Sequence, residues 1–332
     1  MRLNAMQVRR AAIGCGVLLA ALLTASCGGG TASTNFVPKR IVAFGDETSV
    51  IDDFQGNGNG RKYTVNEVAT VPGVTFACRS NPLWIQVIGD NFNGLVFPPC
   101  NPGPNPVTDP TSRIRAAFGA KAVDLAAQID AQVAESPFGD GDLVTVLVGV
   151  NDVLEQYAQY PTISEAQLTA NVEAAGAEVG RQVNRLADIG AKVIISTIPD
   201  VGVSPFAIAE KAAHVDTDRQ ALIGRLTGSF NDSLRATMAN DGRRVGLVLM
   251  DELVRAAARL VGLNGFTNAT TGACDLTKSA LVPPSVLDCT PLTLVLGGSS
   301  INYLWADDRH LSAGGQLTLG NLAAQRAKNN PF

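Results

Sequence analysis

Four continuous apolar runs, Arg40–Phe44, Leu143–Val148, Lys192–Ile198 and Arg244–Met250, alternate along the chain with longer Ala-rich stretches of helical character. That alternation predicts βαβ units and a parallel sheet. The runs are solidly apolar instead of polar at every second position, which predicts helices on both faces of the sheet. A further strand is expected within Thr64–Val71. Helices are expected over Ala122–Ala134, Glu165–Asp188, Thr217–Met238, Glu252–Val261 and Ser312–Lys328. Gly190 and Gly242 follow two of them as C-terminal stops. Two stretches dense in Pro, Gly and Asn, Asn81–Arg113 and Gly262–Leu296, read as long ordered loops of the kind that shape a cleft.

With 46% hydrophobic and 17% charged residues among 332, the chain can bury a large core. No linker or internal repeat divides it. The formal net charge of −4 argues against a nucleic-acid partner. Residues 1–26 read as a targeting segment. Arg2, Arg9 and Arg10 form a basic start, and Ala11–Ala25 is an apolar stretch too short for a confident membrane span. Leu23-Thr24-Ala25-Ser26-Cys27 resembles a bacterial lipobox, in which the Cys carries a diacylglycerol. Thr24 stands where that pattern prefers Leu, which leaves as the alternative a cleavage by the ordinary signal peptidase before Cys27. Residues 27–37, opening Gly28-Gly29-Gly30, would be its flexible tether. Removal of residues 1–26 takes away three arginines and no acid, so the net charge goes from −4 to −7. The expected product is a lipoprotein anchored through Cys27 in the bacterial envelope, facing the periplasm or the cell surface from the outer membrane.

Four cysteines then remain beyond Cys15 and Cys27: Cys78, Cys100, Cys274 and Cys289. An even number in an oxidising compartment points to disulfides. Of the three pairings, the sequence-local one is expected, Cys78 with Cys100 and Cys274 with Cys289, because each pair brackets a long loop. With no Cys-x-x-Cys and no His nearby, a metal site is not expected.

In an open parallel sheet, ligands gather at the carboxyl ends of the strands. The first run leads into Phe44-Gly45-Asp46-Glu47-Thr48-Ser49, the second into Gly149-Val150-Asn151-Asp152, and the third into Pro199-Asp200, which reads as an ordinary turn. The chain holds two histidines. His214, just before a helix, reads as a surface or capping residue. His310 lies in Asp307-Asp308-Arg309-His310, where a carboxylate three residues back can hold the imidazole and stabilise its protonated form.

In order, number and spacing the motifs at Phe44–Ser49, Gly149–Asp152 and Asp307–His310 resemble the GDSL/SGNH hydrolases, in particular the long bacterial esterase and lecithinase-like branch. The resemblance covers residues 38–332. It includes Leu83-Trp84, Gly119-Ala120, Asp142-Leu143-Val144-Thr145, Gly190-Ala191-Lys192-Val193, Gly265-Phe266-Thr267-Asn268 and Tyr303 to His310, with Leu311 where Pro often follows the His. It implies one hydrolase domain over 38–332, with a three-layer α/β/α, flavodoxin-like fold around a central parallel sheet. It implies ester hydrolysis of acyl lipids or acylated glycans by a monomer without a cofactor. His310 becomes the general base and Asp307 its orienter. Asn151, Gly119 and the N–H of residue 47 become oxyanion donors, with Gly45, Asp46, Gly149 and Asp152 in support.

One position departs from the pattern. Where the family carries its nucleophilic Ser, this chain has Glu47. Three readings follow. Glu47 activates a water, or attacks an acyl carbon itself to give an anhydride that water opens. Ser49 takes over, although two residues along a helix turn a side chain by about 200°. Or catalysis is lost and the cleft only binds an acyl or glycan ligand, in an envelope-structural or binding role. Two carboxylates flanking one imidazole should in any case raise the pKa of His310 above about 6.5.

Overall fold

The computed structural model describes residues 36–70, 75–103, 105–239, 242–260, 262–330 and 332. Phe36–Phe332 forms one compact unit. The targeting segment, Cys15, Cys27 and most of the tether lie outside the described residues.

The parallel sheet is built from strands β1 (Arg40–Gly45), β2 (Arg113–Ile114), β3 (Asp142–Leu147), β4 (Lys192–Ser196) and β5 (Val245–Val248), in the spatial order β2-β1-β3-β4-β5. All neighbours pair in parallel. This is the flavodoxin-like order, whose direction reverses between β1 and β3 and opens a crevice at their carboxyl ends. In register, Gly45 lies opposite Leu147, so the segments after both strands emerge side by side.

Alternate residues of each strand serve different layers. Val42, Phe44, Val144, Val146, Val193 and Ile195 pack under the helices Leu125–Glu135, Val150–Tyr157, Glu165–Asp188 and Arg219–Thr237. Ile41, Ala43, Leu143, Leu147 and Ile194 face the helices Trp84–Asn91, Met250–Arg259 and Ala313–Asn329. Burial on both faces is the reason the strands read as unbroken apolar runs. Ser164, Asp218 and Ser312 cap three of the helices, each accepting a backbone N–H of the first turn.

Three expectations are corrected. Gly262–Leu296 is not all loop, because Asn268–Gly272 is a strand that pairs in parallel with Tyr303–Trp305. Among the described residues of Thr64–Val71, Thr64–Thr70 forms no strand. Asn66 instead donates its side-chain amide to the carbonyls of Lys62, Thr64 and Leu287, and Val68 meets Phe76 in an isolated bridge. Short β2 is the fifth strand. The stretch Asn81–Arg113 is not all loop: Leu83 and Gln86 start a helix at Trp84, where the Gln86 side chain accepts the Leu83 N–H. That helix buries Trp84, Ile85, Val87 and Ile88, one aromatic and three β-branched residues, which do not advertise helix.

The disulfides join Cys78 to Cys100 and Cys274 to Cys289, with Cα–Cα distances of 5.7 and 5.9 Å. Across separations of 22 and 15 residues, each is worth about 3 kcal/mol on the chain-entropy account. Cys274–Cys289 staples the irregular segments that pack together through Tyr63, Val65, Ala273, Val286, Leu287 and Ala306, while Cys78 and Cys100 pack with Leu83, Trp84 and Phe97.

The crevice exists because two glycines let backbone approach closely. Gly45 has φ +123°, and a Cβ there would lie 1.8 Å from the Leu147 carbonyl oxygen. Gly149 has φ +134°, and its Cβ would meet the Phe230 ring at 2.2 Å. Gly149→Ala should therefore destabilise the fold by about 3 kcal/mol or more. Gly139→Ala, where nothing lies within 4 Å, should stay within about 0.5 kcal/mol. Urea denaturation of the two variants measures this; equal midpoints would refute the close-packing argument.

Candidate active site

Glu47 opens a short 3-10 turn directly after β1 and is 5% exposed. Asp46 precedes it as the cap, accepting the Thr48 N–H at 3.0 Å, while its own N–H donates to Leu147 O at 3.1 Å. The bend is held from beneath by Gln128, whose side chain accepts the Gly45 N–H at 2.8 Å and donates to the Gly45 carbonyl at 2.9 Å. After β3, Gly149 turns the chain into the Val150–Tyr157 helix and puts Asn151 in its first turn. Asp152, next along, accepts the Ala122 N–H and so ties down the loop that carries Gly119.

These pieces converge on one carboxylate. Glu47 Oε2 accepts the Gly119 backbone N–H at 3.0 Å and the Asn151 side-chain amide at 3.0 Å. Asn151 is itself fixed by a second donation, to Ala120 O at 3.1 Å. The other oxygen, Oε1, lies 3.5 Å from His310 Nε2. That contact is one of charge: Nε2 has no hydrogen-bond partner among the described residues. On the far side of the ring, Nδ1 meets Asp307 Oδ2 at 2.7 Å. Asp307 Oδ1 accepts the N–H groups of Arg309 and His310 at 2.9 and 2.7 Å, so the carboxylate is clamped to the turn that carries the imidazole.

The protonation states follow from this geometry. Burial works to lower the His310 pKa, but the Asp307 carboxylate and then Glu47 outweigh it and raise it to about 10. Burial would raise Glu47 and Asp307, yet each is held below the ordinary carboxylate range by His310. Asp46 goes the other way: burial, and then the neighbouring Glu47 charge, raise it to about 8. Asp152 is raised to about 6, mainly by burial. At neutral pH the centre is thus an imidazolium between two carboxylates, with Asp46 protonated beside them.

Two aromatic residues that motif reading passed over complete the surroundings. Tyr63 packs its ring 5.6 Å from that of His310, and Phe118 stacks on Tyr63 at 5.4 Å with an interplanar angle of 16°. Tyr63 is buried, whereas Phe118 is 69% exposed and sits next to Gly119. Nothing in the spacing around Tyr63 marked it; the one available signal was the position of Phe118 beside a candidate donor. Ser49 is fully buried and its hydroxyl accepts the Trp84 indole N–H at 3.0 Å, so it faces the core and not His310. His214 is remote from the centre, at the end of the Pro205–Ala213 helix beside Glu210. Asp200 caps a turn through the Gly202 N–H and pairs with Arg255. Among the described residues no cluster of His, Cys, Asp and Glu is arranged to hold a metal ion.

The family model for GDSL-like lipases and acylhydrolases matches residues 41–323. The chain belongs to that family. Among solved structures, the acetylxylan esterase Axe2 of Geobacillus stearothermophilus is similar over 89% of this chain and 97% of its own, at 12% identity and a TM-score of 0.41. An acetyl xylan esterase, AlAXEase, is similar over 85% and 96%, at 12% identity and a TM-score of 0.39. A Bacillus subtilis protein is similar over 88% of this chain and 57% of its own, at 16% identity and a TM-score of 0.36. No curated protein matches the chain significantly. Within the GDSL-like family, then, this chain brings the residues after β1, after β3 and before the last helix into one centre around Glu47.

The electrostatics are open to direct measurement. With two histidines in the chain, His310 can be followed by NMR, and its imidazole should remain protonated up to about pH 10. Glu47→Gln removes one of the two flanking charges and should lower that pKa. The sign for stability follows: a folded-state pKa raised above the unfolded 6.5 gives stabilisation that is fully present below pH 6.5 and lost towards pH 10. The His310 part of the stability should therefore decline over that window in the wild type, and by less in Glu47→Gln. A wild-type His310 titrating near 6.5 would contradict the contact with Glu47.

Proposed function

We propose that this member of the GDSL-like family is an exported lipoprotein in which Glu47 holds the nucleophile seat and keeps ester hydrolysis switched off at neutral pH. On this reading Gly119 and Asn151 are the oxyanion donors, His310 is the base and Asp307 its orienter. The observation that carries it is the double engagement of the Glu47 carboxylate. Its Oε2 takes both donor groups and its Oε1 faces His310. Each element of ester hydrolysis is then accounted for. The donors that would stabilise a developing oxyanion already hold a full anion. The imidazole that would accept a proton already has one. The nucleophile is a carboxylate with a depressed pKa, a poor attacking group.

Hydrolysis through Glu47 itself is disfavoured by the same contacts. To attack an acyl carbon, the carboxylate would leave three stabilising partners, and its own oxygen would vacate the donors only as the substrate carbonyl entered. The function left to the cleft is binding of an acyl-ester or acylated-glycan ligand over Glu47, against Tyr63 and the exposed face of Phe118. Anchorage through Cys27 would hold that binding domain at the envelope membrane, and a tether opening with three glycines would leave it free to reorient.

Purified wild type should show no turnover of nitrophenyl acetate above background at pH 7. Glu47→Ser frees both donors, removes one anion beside His310 and restores a hydroxyl, so activity should rise by about a hundredfold or more. A wild type that hydrolyses the ester briskly at pH 6, where His310 is fully protonated, defeats the silent-site reading.

Anchorage is tested separately. Wild type expressed with residues 1–26 should partition with membranes and take up labelled palmitate. Cys27→Ala should be soluble and unlabelled. A soluble, unlabelled wild type would end the lipoprotein proposal.

A further inference from the structure

We infer that the groups around Glu47 constitute a binding site for a free short-chain carboxylate, which the chain fills with a side chain of its own. The inference rests on the placement of Glu47 in the nucleophile seat, as in the preceding reading, and it names the chemistry that the seat selects. Two N–H donors from different segments, the Gly119 backbone and the Asn151 amide, converge at 3.0 Å on a single oxygen. The second oxygen faces the His310 ring at 3.5 Å. A site with two neutral donors on one oxygen and a cation opposite the other suits a planar carboxylate better than a spherical or tetrahedral anion.

Its position has chemical meaning. Hydrolysis of an ester leaves an acid with one oxygen where the oxyanion was held and the other where water entered beside the base. Glu47 Oε2 and Oε1 occupy those two places. The side chain is therefore equivalent to a tethered acid product, and the centre is held in a product-bound arrangement without any reaction having taken place. A free acid would need to be small, because Tyr63 packs against the imidazole and Phe118 covers Tyr63. Asp46, buried next to Glu47, accepts the Thr48 N–H with Oδ1, and its Oδ2 has no hydrogen-bond partner among the described residues.

The size of the vacated space is set by covalent chemistry, which makes the inference sharp. Glu47→Ala removes a methylene and a carboxylate, the heavy atoms of acetate. Glu47→Gly removes one carbon more, the heavy atoms of propionate. Each variant should bind its matching acid in a saturable one-to-one manner and in preference to the other. Bound acid should shift the His310 imidazole resonances and raise the His310 pKa again. Asn151→Ala added to either variant should weaken binding roughly tenfold or more, through loss of a charge-assisted hydrogen bond. Wild type and Glu47→Gln, whose seats are filled, should not respond to either acid.

The titrations are run with sodium acetate and sodium propionate at constant ionic strength, on variants shown by circular dichroism to be folded. If Glu47→Ala fails to fold, Glu47→Gly carries the test. No saturable response in a folded variant, a response equalled by chloride or sulfate, or one indifferent to Asn151→Ala overturns the inference. Ester turnover by the wild type is a separate result, which would count against the silent-site reading and leave the acetate titration to be judged alone.

Discussion

The Glu47 carboxylate is a charge taken out of water, and the rest of the centre can be understood as what such a charge requires. Burying an isolated carboxylate costs several kcal/mol even after relaxation. Here that cost is offset by two N–H donors and an imidazolium from three separate parts of the chain. The partners meet only because of the sheet. β1 and β3 run parallel in register, so Glu47 and Asn151 leave the same edge, and Gly45 and Gly149 allow the two segments to turn without colliding with Leu147 and Phe230. Removing either glycine would disturb the electrostatics through the backbone, with no ionisable group having changed.

The charge also propagates to its neighbour. Asp46 is buried and shares a peptide bond with Glu47, so both carboxyls cannot be ionised cheaply. Glu47 keeps its charge because His310 faces it, while Asp46 has only the Thr48 N–H and is raised to about 8. One proton is thereby placed on Asp46, mainly by burial, and another on His310, mainly by Asp307, and the Glu47 charge contributes to both. A neutral residue at position 47 would relax both shifts together, which is how one substitution can alter the pH response of two groups it does not replace.

Much of the architecture was legible because it depends on local pattern. Apolar runs buried on both faces, capped helices and Gly stops gave the strands and the longer helices nearly to the residue, as with Glu165–Asp188. The cysteine pairs were legible because each closes its own loop. What escaped was set by tertiary contact. The Trp84–Asn91 helix is rich in β-branched and aromatic residues and is helical because its apolar face is buried against the last helix and the sheet. β2 is two residues long and pairs at the sheet edge, too short for any periodicity. Thr64–Val71 has strand composition, but the Asn66 amide claims three carbonyls of its surroundings and holds Thr64–Thr70 irregular. At the centre, motif spacing brought Glu47, Asn151, Asp307 and His310 to one place. It said nothing of Tyr63, since a stacking partner needs shape and not sequence order.

On the proposed reading, the retention of a complete set of donors around a silent centre has a physical explanation that does not involve catalysis. In an enzyme with Ser at that seat, Asn151 and the Gly119 N–H would face an oxyanion only transiently, and losing one would slow a reaction without unfolding the protein. With Glu47 present, the same groups are permanent partners of a buried anion. Loss of one leaves that anion undersatisfied, at a cost of about 1–3 kcal/mol or more for a charged group. The machinery is then held in place by the stability of the fold. That reverses the usual relation between activity and stability, in which a preorganised site is a burden on the fold. It also explains why the centre remains intact enough that a single side chain separates a closed seat from an open one.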